Sequence, residues 1–178
     1  QGAVDMGQGP NTVMQQIAAD ALGIAFDRID LRGPDTDSTP DAGKSSASRQ
    51  TFVTGNATLL AARALGAELR AMAGASEDAR LDLDGSALVV HDRGEERRID
   101  LDGRPTDADG LVAVATGRYD PPTVALDAQG QGEPYAQFGY GAHLVELEID
   151  TELGTVRLLR LTAAHDVGRA VNPTLLEG

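Results

Sequence analysis

The first part of the chain predicts one amphipathic helix. Between residues 13 and 24 an apolar side chain recurs every three or four positions, at Val13, Ile17, Ala21 and Ile24. This is the spacing of one helix face. Pro10 suits the first helical turn because its φ is fixed near the helical value, and Gly23 suits the position just after a helix. We therefore expect a helix over residues 10–22.

The segments on either side of this helix predict short strands and loops. Residues 3–6 are expected to form a short strand that leads into a turn at residues 7–9. After the helix, Arg28–Arg32 alternates apolar and polar residues, which is typical of a half-buried strand. Residues 33–43 contain two prolines among polar residues and predict a loop.

A second and longer helix is predicted from about Ser48 to Met72. Its apolar residues fall on one broad face, made of Val53, Ala57, Leu60, Ala64, Leu65, Leu69 and Met72. Gly55 and Gly66 interrupt this segment and each costs roughly 1 kcal/mol of helix stability relative to Ala. We therefore expect close packing or a bend at these two glycines.

After a connector at residues 73–80, the pattern changes to that of β-strands. Three short strands are predicted around Asp84-Gly85 and Arg93-Gly94 turns, at residues 81–83, 87–91 and 97–101. An irregular segment is expected over residues 120–135. A hairpin then joins residues 142–150 to 156–164, and its second arm is expected to be buried on one face. Asp166, Gly168, Asn172 and Pro173 predict a terminal loop.

These elements indicate an α+β fold, with helices packed on a mixed or antiparallel sheet. The 178 residues carry a formal net charge of −13, which argues against electrostatic binding to nucleic acid or to an anionic membrane. No apolar run approaches the roughly 20 residues of a membrane helix. The chain has no Cys, which excludes disulfides, iron–sulfur clusters and thiolate zinc sites within it.

The first candidate site is the turn Gly7-Gln8-Gly9. Its glycines allow close approach of the backbone, and the helix that follows offers N–H groups to an anion or to a polar ring edge. Gln8 supplies both a donor and an acceptor. A dinucleotide-binding Gly-x-Gly-x-x-Gly motif is excluded because Thr12 replaces its third glycine. The alternative is a plain tight turn with a helix cap.

The second candidate site is the segment from Asp41 to Thr51. Lys44, Ser45, Ser48, Arg49 and Gln50 precede or open the long helix, where hydroxyls and cations suit a phosphate. Gly43-Lys44-Ser45 matches the end of a Walker A loop, but Ser38 stands where that motif needs its first glycine. The alternative is a capped helix with solvated charges.

The remaining polar residues predict no metal or catalytic site. His91, His143 and His165 are far apart in sequence, each in or beside a strand, and are expected to be ordinary core or surface histidines. Three aspartates between residues 35 and 41 lack the glycine and distal glutamate of a calcium loop. No Ser-His-Asp arrangement follows from the spacing.

In these motifs the sequence resembles the molybdenum hydroxylase family, which includes xanthine dehydrogenase, aldehyde oxidase and bacterial relatives. The matching segments occur in order along nearly the whole chain, most weakly over residues 75–118. They are Asp5-Met6-Gly7-Gln8-Gly9, Gln16-Ile17-Ala18-Ala19, Leu22-Gly23, Asp35-Thr36-Asp37, Pro40-Asp41, Ala47-Ser48-Arg49-Gln50-Thr51, Gly55-Asn56-Ala57, Tyr140-Gly141-Ala142, Glu146-Leu147-Glu148-Ile149-Asp150, Gly154, His165-Asp166-Val167-Gly168 and Asn172-Pro173.

The resemblance implies an internal fragment of the molybdopterin-binding domain of a large subunit. Residues 1–74 would be the half that faces the cofactor, and residues 75–178 the strand-rich half. By resemblance, Gly7, Gln8 and Gly9 hydrogen-bond the pterin. The segment with Lys44, Ser45, Ser48, Arg49 and Gln50 would hold the pterin phosphate or the tail of molybdopterin cytosine dinucleotide.

The family hydroxylates an electron-poor carbon of an aldehyde or a purine-like N-heterocycle, with oxygen from water. In this family the dithiolene sulfurs of the pterin hold the molybdenum, so no protein side chain is expected to bind the metal. The family's catalytic glutamate would lie beyond Gly178, and Glu146, Glu148 and Glu177 are not assigned as the base. The fragment alone is expected to be inactive as an oxidoreductase.

The expected partners are a small-molecule substrate, the rest of the same large subunit, and subunits or domains with iron–sulfur clusters and possibly FAD. The expected location is the cytoplasm, with the periplasm also open because the natural N-terminus is expected to be missing. A different class of function also fits the two anion-binding segments: a non-catalytic module that binds a nucleotide or another anion.

Overall fold

The computed structural model of the chain describes residues 1–46 and 48–177, so Ala47 and Gly178 lie outside the described residues. The chain divides into two compact units, residues 1–121 and 122–178. This boundary differs from residue 74, where the sequence changes from helices to strands. No helix in the described part is long and apolar enough to cross a membrane.

The first helix, α1, spans Pro10–Leu22 as predicted. Pro10 occupies the first turn, and Gly23 follows the helix in the left-handed conformation with φ of 75°. The N–H of Gly23 donates to the carbonyl of Ala19 at 2.9 Å, which closes the helix end. The residues with the least solvent exposure in α1 are Pro10, Met14, Ala19 and Leu22.

The second helix, α2, spans Gln50–Met72 and packs against α1. Gly55 and Gly66 are buried, and a Cβ added at Gly55 would lie 3.0 Å from the Cδ1 of Ile17. The expected close packing at these glycines is therefore confirmed. Leu60 and Ala64, however, are exposed rather than part of the packed face. The buried face of α2 consists mainly of small residues, so the apolar side chains in the sequence did not predict it correctly. Its members are Val53, Thr54, Gly55, Ala62 and Gly66.

Neither of the two short strands predicted around α1 forms. The N–H of Ala3 donates to the side chain of Gln1, and residues 3–6 form no strand. Phe26–Arg28 is a short 3-10 helix, and the carbonyl of Ile29 accepts a hydrogen bond from the Gln15 side chain at 2.8 Å. The backbone groups of these segments therefore form hydrogen bonds with side chains and within turns, instead of with a neighbouring strand.

Three strands form an antiparallel meander, as predicted, at β1 Arg80–Asp84, β2 Ala87–Asp92 and β3 Glu95–Asp100. Residues 93 and 94 both have positive φ, as a type I′ hairpin turn requires. A cluster of side chains no more than 2% exposed forms the core, and half-buried residues from the end of α2 pack against it. The buried members are Ala79, Leu81, Leu88 and Val90.

The second unit contains a long antiparallel hairpin, β4 Tyr140–Asp150 and β5 Thr155–Asp166, with a bulge between residues 146 and 147. The hairpin was predicted, but the expectation that β5 is buried on one face is wrong. Every residue of both strands is exposed, because no second layer covers this ribbon within the described residues. A short helix, α3 Pro173–Glu177, replaces the end of the predicted terminal loop. The α+β fold class is confirmed.

Candidate functional site

The loop before α1 is organised by the carboxylate of Asp5. Its Oδ1 accepts the N–H groups of Gly7 at 2.9 Å and Gly9 at 3.3 Å, and its Oδ2 accepts that of Asn11 at 3.4 Å. These hydrogen bonds, that from Gly7 above all, lower the pKa of Asp5. The protein thus supplies its own anion at the N-terminus of α1. The N–H group of Asn11, in the first turn of α1, is therefore bonded within the protein rather than free for an external anion.

Gln8 braces the same loop with both ends of its amide. Its Oε1 accepts the N–H of Met6 at 2.6 Å, and its Nε2 donates to the carbonyl of Val4 at 3.0 Å. An amide oxygen has two lone pairs and an amide nitrogen two hydrogens, so each atom can still make one further bond. Gly7 and Gly9 have φ of 108° and 77°, a region that disfavours any residue with a Cβ.

The loop before α2 is held in shape by Arg49. Its Nη1 donates to the carbonyls of Lys44 at 2.9 Å and Ala42 at 3.3 Å. Gly43, with φ of 68°, lies directly under the guanidinium: a Cβ there would be 3.2 Å from Nη1. The loop and the cation at the start of α2 therefore form one unit.

Neither α1 nor α2 has a side-chain cap at its N-cap residue or an acidic residue in its first turn. They differ because the carboxylate of Asp5 accepts an N–H group at the start of α1, and no carboxylate of the described residues does so for α2. Gln50, the first residue of this helix, donates from Nε2 to the hydroxyl of Ser45. Its Oε1 is buried and accepts no hydrogen bond from the described residues. A buried polar atom without a partner costs about 1–3 kcal/mol. This end of α2 is therefore ready to accept a ligand's polar groups.

The two loops meet at a pocket of about 480 Å³. It is lined by Met6, Gln8, Ser45, Ser46, Ser48, Arg49, Gln50 and Thr51. The N-terminal segment accounts for part of this proximity, since a Cβ on Gly2 would lie 1.8 Å from the carbonyl oxygen of Pro40. The structure thus brings together the two segments that sequence analysis had identified separately.

Most of the predicted site residues line this pocket, and three do not. Gly7 and Gly9 shape the loop that carries Gln8. Lys44 contributes a backbone carbonyl to Arg49, and the residue is exposed. Met6, Ser46 and Thr51 also line the pocket, and each is next to a predicted site residue. Asp5 was not predicted as a site residue; its signal is an aspartate two residues before a glycine, as in an Asx-turn.

The charge of the pocket favours an anion that also carries hydrogen-bonding groups. None of the lining residues is acidic, and Arg49 is the cation among them. The uncapped amides of α2 add the positive end of the helix dipole. The unpartnered Oε1 of Gln50 calls for a donor beside that anion, which a bare phosphate does not supply. The described residues contain no group of three or more side chains suited to hold a metal.

A second polar cluster has a structural role. The carboxylate of Asp92, on β2, is 6% exposed and accepts the hydroxyl and the N–H of Ser76. These hydrogen bonds, the hydroxyl first, lower its pKa. Arg97 donates to the carbonyls of Ala73 and Gly74 at the end of α2. The cluster thus joins the end of α2 to the sheet.

Two of the three histidines, although far apart in sequence, meet in the fold. The Nε2 atoms of His143 and His165 are 3.1 Å apart. The register of the hairpin explains this, because Gly141 pairs with His165 and His143 with Ala163. Residues two positions apart on a strand point to the same face, so the two imidazoles meet diagonally.

The chain matches known proteins along its whole length. The family model of the molybdopterin cofactor-binding domain matches residues 1–178. The 6-hydroxypseudooxynicotine dehydrogenase complex subunit gamma of Paenarthrobacter nicotinovorans is 33% identical over 99% of this chain, which spans 22% of that protein. Xanthine dehydrogenase of Oryza sativa subsp. japonica is 31% identical over 98% of the chain, which spans 12% of that protein.

A solved structure has the same fold. The Cu,Mo-CO dehydrogenase in its carbon monoxide reduced state superposes with a TM-score of 0.69 and 27% sequence identity, over 99% of this chain and 22% of that one. The chain therefore spans about a fifth or less of the length of these relatives. The match over all 178 residues and the shared fold lead to one conclusion: this chain belongs to the molybdopterin cofactor-binding domain of the molybdenum hydroxylase family.

Proposed function

We propose that the pocket between the two loops holds the pterin and phosphate portion of a molybdopterin cofactor. The observation that carries this proposal is the N-terminus of α2, where an uncapped helix end, Arg49 and the buried, unpartnered Oε1 of Gln50 occur together. A phosphate with an adjacent N–H or O–H donor satisfies all three. The family match supports molybdopterin as that ligand.

Each loop has a distinct task in this proposal. The backbone amides of α2, with Ser45, Ser48 and Arg49, bind the phosphate, and Lys44 adds positive charge from its exposed position. Gln8 offers its remaining donor and acceptor to the edge of the pterin, while Gly7 and Gly9 let the ring approach the backbone. When bound, the cofactor supplies a molybdenum centre that carries out the oxidation and reduction.

The nucleotide form of the cofactor is part of the same proposal. We propose molybdopterin cytosine dinucleotide, whose ribose hydroxyls, like the amino groups of its pterin and cytosine, are donors that the Oε1 of Gln50 can accept. The amide of Gln50 can also turn by half a rotation, which would present its NH₂ group to the ligand. In either orientation this residue recognises a polar ligand rather than an apolar one.

The whole protein is proposed to be a molybdenum hydroxylase that hydroxylates an aldehyde or a purine-like N-heterocycle, with oxygen from water. This chain contributes the cofactor cradle and is not expected to turn over alone. One relative named above is a subunit of a dehydrogenase complex, which supports the proposal of partner subunits for this protein. The proposed partners carry iron–sulfur clusters and, as an option, FAD. The cytoplasm remains the expected location.

Analysis of the full-length protein, purified from its native host, tests the proposal. We expect one molybdenum and one releasable cytidine monophosphate per large subunit. A matured sample without molybdenum, and without pterin fluorescence after oxidation, would contradict the proposal. The alternative function would then remain, that of a non-catalytic module that binds a nucleotide or another anion. Calorimetry with cytidine and guanosine nucleotides then separates the outcomes, since such a module binds a free nucleotide at micromolar concentration.

A further inference from the structure

The second unit contains a pair of side chains that the proposed cofactor site does not use. His143 on β4 and His165 on β5 have their ring centroids 5.0 Å apart and their planes at 76°. Their Nε2 atoms lie 3.1 Å from each other. Gly141 gives the ring of His165 its room, because a Cβ at residue 141 would lie 3.0 Å from the Nδ1 of that histidine.

The distance of 3.1 Å between the two Nε2 atoms matches that between two ligand atoms of one metal ion. Imidazole nitrogens lie about 2.0–2.1 Å from a bound zinc ion, so two nitrogens at angles of about 90° to 110° around it are about 2.9–3.4 Å apart. We propose that His143 and His165 chelate a divalent transition-metal ion of the zinc type. Both rings are exposed within the described part of the chain.

The surroundings favour an imidazole-binding metal over a hard cation. On this face of the ribbon, the pleat places Val145, Leu161 and Ala163 next to the pair, none of which ligates a metal. The carboxylates of Glu146 and Glu148 alternate to the opposite face, where Glu148 pairs with Arg157 at 3.5 Å. Mg²⁺ and Ca²⁺ need oxygen ligands, whereas Zn²⁺ and Ni²⁺ accept imidazole. Water completes the coordination.

Bound metal would add a link between two strands that are joined by backbone hydrogen bonds, by the turn at residues 151–154 and by the Glu148–Arg157 ion pair. A two-stranded ribbon is marginally stable by itself. A ligand that binds only the folded ribbon stabilises it in proportion to the logarithm of its free concentration relative to the dissociation constant. The metal would therefore act as a cross-strand clamp.

A hydrogen bond between two neutral imidazoles has the same nitrogen separation and is the competing explanation. The test uses Zn²⁺ and the full-length protein, cleared of loosely bound metal with a chelator. Zinc binding is measured by competition with a chromophoric chelator for the wild type, His143→Gln and His165→Gln. His91→Gln is the matched control, since His91 lies in the other unit beside Glu96.

We expect one zinc site in the wild type and in His91→Gln, with the affinity of that site reduced about tenfold or more in each of the other variants. Equal zinc binding in all four proteins, or none in the wild type, would overturn the proposal in favour of the hydrogen bond. X-ray absorption of the zinc-loaded wild type gives a second reading that needs no variant. Two imidazole ligands are expected, and a spectrum without them would also overturn the proposal. Neither the zinc competition measurement nor the X-ray absorption measurement depends on the molybdopterin cofactor content.

Discussion

The guanidinium of Arg49 lies against Gly43 and donates to the carbonyl of the next residue, Lys44, at 2.9 Å. One side chain therefore both shapes the loop and brings positive charge to the pocket. Here Nη1 alone donates to both carbonyls, which leaves Nη2 for a ligand, whereas the single ammonium nitrogen of a lysine would keep the charge but have to serve the carbonyls and the ligand together. The geometry of the loop and its affinity for an anion thus depend on the same residue.

Substitution of Arg49 by Ala should therefore release the cofactor. Loss of a charge-assisted hydrogen bond to phosphate costs about 1.5–3 kcal/mol, or about 10- to 100-fold in affinity. Arg49→Lys should retain an intermediate amount. Molybdenum per purified large subunit is the measurement, and Arg63→Ala, at an exposed position of the same helix, is the control. Unchanged molybdenum in Arg49→Ala would refute the assigned role.

Gln50→Leu should separate stability from cofactor binding. The substitution removes one hydrogen bond to Ser45, worth about 0.5–1.5 kcal/mol, together with a buried carbonyl whose lack of a partner costs about 1–3 kcal/mol. We therefore expect the cofactor-free protein to keep or raise its thermal stability, while the cofactor content falls. Thermal unfolding of the cofactor-free form and molybdenum analysis give the two values. If both fall together, Gln50 has a structural role rather than a binding one.

The two long helices, α1 and α2, and most strands were predictable because their signals are local. Pro10 and Gly23 delimit α1, and Arg93-Gly94 forms the turn between β2 and β3. The strand predicted at residues 28–32 was wrong because its alternation covered only two apolar residues. A side chain of α1, that of Gln15, bonds the backbone there, and such a distant contact leaves no mark in a short pattern.

The candidate site was predictable as two segments but not as one pocket. Part of their proximity comes from the contact between Gly2 and Pro40, which lie 38 positions apart and carry no pattern that links them. The role of Asp5 was missed because three backbone N–H groups converge on it only after the loop has folded. The histidine pair was missed for a similar reason, since strand register decides which residues meet.

The carboxylate of Asp5 should make the loop before α1 sensitive to acid. Its pKa is lowered in the folded protein, so its contribution to loop stability is present above the unfolded value of about 3.9 and is lost as pH falls through the lower folded value. Asp5→Asn should reproduce that loss at neutral pH. The measurement is hydrogen-exchange protection of the Gly7 and Gly9 amides.

The control for this experiment is Asp20→Asn, at an exposed position of α1. It should leave the protection of both glycine amides unchanged at neutral pH. The wild type at a pH well below 4 should approach the behaviour of Asp5→Asn. Equal protection in Asp5→Asn and the wild type at neutral pH would show that the carboxylate does not hold the loop.

Gly2→Ala should disturb the pocket from a distance. The added Cβ would lie 1.8 Å from the carbonyl oxygen of Pro40, closer than any real contact, so one of the two segments must move. Overpacking of this kind costs about 1–3 kcal/mol. Because the segment after Pro40 leads to Ser45 and Arg49, the cofactor content of the purified protein should fall along with its melting temperature. Gly33→Ala is the matched control: a Cβ there meets nothing within 4 Å, and its φ is not positive. A Gly2→Ala protein with the cofactor content of Gly33→Ala would mean that the loop before α2 keeps its shape without this contact.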